Sequence, residues 1–148
     1  MPVQKPVLTP PQGGETATSS KGSSFELKVD SSQSGGDYGA VLWTVVAGEE
    51  PPLHTHSRED ELVYVLEGTV TLIEDAAQTA LQAGDCAAFP KGTGNGHHMI
   101  NRSGVTAVYL EVGSRSPDDL TTCSDIDMMS ANADGRFVHK DGTPYVER

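Results

Sequence analysis

Four of the five histidines fall in two tight places, His54 with His56 and His97 with His98. Side chains two residues apart leave an extended chain on the same face, so His54 and His56 can turn both imidazoles to one ion. Glu61 follows after Ser57–Asp60, a polar segment long enough to turn the chain and return it beside the first strand. A carboxylate next to two imidazoles suits one divalent ion, Fe, Mn, Ni, Co or Zn. A third histidine from a distant segment would complete three nitrogens and one oxygen, and an octahedral ion would then keep two positions open for water, dioxygen or substrate. Strand parity selects between the adjacent pair. With His97 inward, Met99 and Asn101 follow it, whereas with His98 inward the Arg102 guanidinium would be buried without an evident partner. Glu59 and Asp60 stand beside Glu61 as rival carboxylates.

The elements that must hold these side chains read as strands. From Phe25 onward, short apolar stretches alternate with turn residues, an all-β pattern. Expected strands are Phe25–Val29, Ala40–Ala47, Leu62–Leu66, Thr69–Glu74, Cys86–Phe89, His97–Asn101 and Val105–Val112, with an extended piece at Arg136–His139. Glu67-Gly68 joins two of them closely enough to predict a hairpin. Asp118–Ala133 is the nearest approach to a helical period, and it is too polar for a firm helix. Evenly spaced strands with Gly/Pro turns imply a sandwich or jelly-roll barrel. Residues 1–24, rich in Pro, Gly, Ser and Thr, read as a flexible N-terminal arm, 25–113 as the barrel, and 114–148 as an irregular C-terminal tail packing on it. The chain shows no internal repeat, which excludes two barrels.

The residues at this point resemble a known family, the cupins. Its first motif is Gly, five residues, His-x-His, three or four residues, Glu, six residues, Gly, and Gly48, His54, His56, Glu61 and Gly68 match it throughout. Its second is Gly, five residues, Pro-x-Gly, two residues, His, three residues, Asn. Gly84, Pro90, Gly92, His97 and Asn101 match, except that four residues separate Gly92 from His97, which lengthens the loop before that histidine. The resemblance implies a double-stranded β-helix with one divalent metal ion on His54, His56, Glu61 and His97, and it selects Glu61 over Glu59 and Asp60. The matched motifs cover about a third of the chain. The tail is similar to that of small bacterial one-barrel cupins, some of which carry the label sugar-phosphate isomerase by fold analogy.

Composition narrows the partners. A net charge of −11 repels phosphate backbones and anionic lipid, so nucleic acid and membrane partners are not expected. Cys86 and Cys123 lie far apart without CxxC spacing, as free thiols do, and a buried inert thiol is the ordinary reading of Cys86. No apolar run approaches the roughly 20 residues that span a bilayer, and MPVQKPVLTPPQGG lacks a secretory core, so a cytoplasmic protein is expected. The expected function is a small metalloenzyme of isomerase, dioxygenase or lyase type acting on a small polar organic molecule. The alternative is a metal- or ligand-binding cupin without turnover, serving as a sensor or accessory module. A homodimer is expected, because the apolar alternates Leu62, Tyr64 and Leu66 should face away from Glu61. Tyr64 and Trp43 read as packing residues, and His98 and His139 as surface residues.

Overall fold

The computed structural model describes residues 6–19, 21–48, 54–74, 77–123, 127–131 and 136–144. The strands are β1 (Thr16–Thr18), β2 (Ser24–Val29), β3 (Gly39–Val45), β4 (His54–His56), β5 (Glu61–Glu67), β6 (Thr69–Glu74), β7 (Gln78–Gln82), β8 (Cys86–Phe89), β9 (His97–Ile100), β10 (Ala107–Gly113), β11 (Thr121–Cys123), β12 (Met129–Ala131) and β13 (Arg136–Val138). They form two sheets of antiparallel pairs, ordered β1-β2-β3-β10-β5-β8 and β13-β12-β11-β4-β9-β6-β7. Among the described residues the helical structure is one 3-10 turn, Ser31–Ser34, and no helix is long and apolar enough to cross a membrane.

Alternation builds the core. Along β5 the side chains of Glu61, Val63 and Val65 are buried, while Leu62, Tyr64 and Leu66 are exposed. Val63 and Val65 meet Val70 and Leu72 of β6, Met99 of β9 and Tyr109 of β10 between the sheets. Each fully buried valine contributes on the order of 1.5–3 kcal/mol relative to exposure. Trp43 packs against this cluster with its ring 6.3 Å from that of Tyr109. The site therefore stands on an apolar floor, with Glu61 continuing the buried row of β5.

Several details add to or differ from the sequence reading. Glu67-Gly68 is not a hairpin: β5 pairs with β8 and β10, β6 pairs with β7 and β9, and the chain changes sheets at Gly68. A single linking residue at φ +74° makes a corner, and a Cβ there would press on the backbone of Thr106 and Ala107. Asp118–Ala133, too polar to read as a firm helix and assigned no strand from sequence, contains β11 and β12. Thr121 and Thr122 are β-branched, and β11 finds a ladder on β4. The polar strand β7 escaped notice because Leu81 is its one buried residue. Within the segment read as a flexible arm, Thr16–Thr18 adds an edge strand to β2, and the Thr9 hydroxyl donates to Lys28 O at 2.8 Å.

Candidate metal centre

Three ends of strands converge. His56 closes β4, Glu61 opens β5 and His97 opens β9. His56 Nε2 lies 2.7 Å from Glu61 Oε1, and His97 Nε2 lies 3.1 Å from Glu61 Oε2. Glu61 and His97 are each 7% exposed. The Phe89 ring of β8 stacks on His97 at 3.8 Å and 10°, which restricts the imidazole to one plane. Two imidazole nitrogens aimed at the two oxygens of one buried carboxylate form a donor set that fits a divalent ion of borderline softness.

His54 stands opposite His97 in the β4–β9 register and opposite Cys123 in the β4–β11 register. Its side chain lies outside the described structure. His98 alternates away from His97 and is half-buried, and the His139 Nδ1 pairs with Asp127 at 2.9 Å away from the centre. Asp60 points to solvent and accepts the Lys91 N–H at 2.9 Å, so it is no rival to Glu61. Cys86, read from the sequence as a buried thiol, is exposed on β8, and Cys123 is buried on β11.

Glu59 is different. It is 5% exposed, and His56, Glu59 and Glu61 each offer one ligand atom within 4.8 Å of the others. Glu59 Oε2 lies 3.4 Å from His56 Nδ1, on the ring's other side from Glu61. Its Oε1 accepts the Arg115 N–H at 3.1 Å and lies 3.3 Å from Arg115 Nη1. Two glycines leave room for this pair: a Cβ at Gly113 would strike Glu59 Oε1, and one at Gly39 would come within 2.9 Å of Arg115 Nε. Sequence spacing carried no signal for Arg115, and Glu59 was legible only as a neighbour of Glu61.

The electrostatics are those of a crowded anionic interior. Burial lowers the His56 pKa, but the hydrogen bonds and charges of Glu61 and Asp119 outweigh it and raise it to about 9. Burial would raise Glu61, yet His56 and His97 hold it well below the usual carboxylate range. Burial raises Glu59 against the pull of Arg115, and burial with the charge of Glu61 pushes Glu111 up to about 7. Three carboxyl groups facing one interior favour a cation among them. A cavity of about 110 Å³ opens beside them, lined among others by His56, Glu59, Glu74, Phe89, Asn95 and His97.

The cupin domain family model matches residues 41–113. The chain is similar, at 32% identity and a TM-score of 0.79, to a sugar phosphate isomerase of the cupin superfamily from Silicibacter pomeroyi, over 93% of this chain and 95% of that one. It is also similar to a candidate sugar phosphate isomerase from Acidithiobacillus ferrooxidans, at 25% identity and a TM-score of 0.67, over 84% and 82% of the two chains. KdgF from a Halomonas species shares the fold, at 18% identity and a TM-score of 0.62, over 76% of this chain and 96% of that one. No curated protein sequence matches the chain. Two sheets of antiparallel strands, both metal-site motifs and these likenesses make the chain a member of the cupin superfamily.

Proposed function

We propose that the chain is a metal-dependent enzyme acting on a small polar organic molecule, with His54, His56, Glu61 and His97 holding one divalent ion. The observation that carries this reading is the convergence of His56 Nε2 and His97 Nε2 on the two oxygens of Glu61. When bound, the ion supplies Lewis-acid polarisation of a substrate oxygen. The chain's own part is to hold the donors rigid. Phe89 fixes the His97 plane, the buried valines support Glu61 from below, and the anionic surroundings favour the cation's retention.

Within that class an isomerase is the reading that the names of the similar proteins support. Glu74, Thr93 and Asn95 line the cavity with hydrogen-bonding groups, and Asn95 Nδ2 donates to Glu74 Oε1 at 3.0 Å. Such a wall suits hydroxyl groups. The lining includes no lysine or arginine among the described residues, and Lys91 beyond Pro90 is turned toward Asp60 at the surface. The substrate is therefore a hydroxylated carbonyl compound, recognised through its hydroxyls.

The test is protein purified without chelators, its metal counted by plasma mass spectrometry, then assayed on hydroxy-aldehydes and sugars. About one ion per chain, with isomerisation lost on chelation and regained on adding metal back, is the expected result. Oxygen uptake on turnover would move the protein to the dioxygenases. Tight ligand binding without turnover would move it to a sensor or accessory role.

A further inference from the structure

We infer that Asp119 is a positioning residue for His56, keeping a proton on Nδ1 so that Nε2, the nitrogen on the Glu61 side of the ring, is the one left to ligate an ion. This rests on the reading of His56 as a metal ligand. Asp119 Oδ2 lies 2.7 Å from His56 Nδ1. Its other oxygen accepts the backbone N–H of Arg58 at 2.8 Å and of Glu59 at 3.1 Å, and lies 3.5 Å from Ser57 Oγ. Ser57 and Leu120 close the same seam, Ser57 N–H donating to Leu120 O at 3.1 Å and Leu120 N–H to Ser57 Oγ at 2.9 Å. One carboxylate thus ties the turn between His56 and Glu61 to the ring of His56.

On the Asp119 side of the ring the chemistry leaves one arrangement. An ionised carboxylate only accepts hydrogen bonds, so the imidazole nitrogen facing it must carry a proton. Asp119 Oδ1 accepts two backbone N–H groups while Oδ2 faces the ring, an arrangement that suits the carboxylate anion. Glu59 Oε2, 3.4 Å from the same nitrogen, is a second acceptor there. The Thr121 hydroxyl, 3.3 Å from Nδ1, can adapt to either partner. Nε2 also faces a carboxylate, Glu61 at 2.7 Å, so without an ion it carries a proton as well. In a ligating ring that keeps its Nδ1 proton on Asp119, Nε2 is the nitrogen whose lone pair meets the ion. Carboxylates behind ligating histidines fix tautomer and ring orientation in this way, and losing them typically weakens metal binding ten- to a hundredfold.

Asp119→Asn separates orientation from mere support. The amide can keep one oxygen on the Arg58 and Glu59 N–H groups while turning its NH₂ to Nδ1, which favours the wrong tautomer. Zinc affinity, measured by competition with a chromophoric chelator, should fall about ten- to a hundredfold. Asp118→Asn, changing an exposed neighbour 4.0 Å from Arg58, should leave it unchanged. Long-range proton–nitrogen spectra of the zinc-loaded wild type should show the His56 Nδ1 protonated and Nε2 ligated, a result that stands even if Asp119→Asn does not fold. Unaltered zinc affinity in Asp119→Asn, or a zinc-ligated Nδ1 in the wild type, overturns the role of Asp119 alone. A wild type that takes up no zinc or other divalent ion defeats the ligand reading beneath it.

Discussion

The Gly48 N–H donates to the Asn101 carbonyl at 2.9 Å, so the residue that opens the first motif is fastened to the one that closes the second. Asn101 is fully buried. Its Nδ2 donates to Val45 O at 2.8 Å and Val105 O at 2.6 Å, and its Oδ1 accepts the Ser103 N–H at 3.0 Å. Asn101→Ala leaves these groups unsatisfied, at about 1–3 kcal/mol for each one that stays buried. A loss of at least about 2 kcal/mol in urea unfolding is expected. A change below about 0.5 kcal/mol would reduce this asparagine to a passive strand end.

His97 and His98 should separate cleanly in metal content. His97→Ala removes a nitrogen 3.1 Å from Glu61 and should lose most of the ion, whereas His98→Ala should retain it. An ion that binds only the folded chain adds roughly 3–4 kcal/mol at a hundred- to thousandfold excess over Kd. Chelation should therefore lower the Tm of the wild type and leave that of His56→Ala unmoved. Reversed metal contents for the two adjacent variants would contradict the strand parity.

Glu111 sets a pH dependence in the metal-free protein. It stands opposite Val63 of β5 and Val41 of β3, on the interior face. Burial first, then the charge of Glu61, moves its pKa from 4.5 to about 7. Between those values the folded chain holds a proton that the unfolded chain releases, so this group's contribution to stability falls as pH rises through the window. Glu111→Gln should be more stable than wild type at pH 8, by at most about 3 kcal/mol, with the advantage fading toward pH 5. Urea midpoints of both metal-free proteins at the two pH values decide it. A difference between them that does not vary with pH counts against the assignment.

The outer face of the six-stranded sheet is the proposed contact between two copies. Leu62, Tyr64 and Leu66 are 38%, 41% and 45% exposed there. A wild-type dimer by light scattering at micromolar concentration, converted to monomer by Leu62→Lys with Leu66→Lys, is the expected pair of results. A monomeric wild type would end the proposal.

Legibility followed how much of each feature is local. Alternation in Glu61–Glu67 revealed both faces of β5, and motif spacing singled out His56, Glu61 and His97 before any fold was known. What spacing could not reveal were partners brought from afar. Asp119 lies 63 residues from His56 in a stretch whose polarity reads as loop, and Arg115 meets Glu59 across 56 residues. The Gly68 corner was misread because one glycine signals a reversal without saying which sheet receives the next strand. Thr121–Cys123 is too short to carry a period, and its strand character comes from its ladder on β4.

That ladder bears on where the molecule can be cut. The family model ends at residue 113, and a fragment stopped there would keep His54, His56, Glu61 and His97. It would nonetheless strip β11 from β4, baring the backbone edge of the His-x-His strand, and discard the carboxylate behind His56. The smallest portable unit of this fold therefore reaches through Cys123. A graft or chimera bounded by the motifs alone would transplant the histidines without the strand that holds two of them in register.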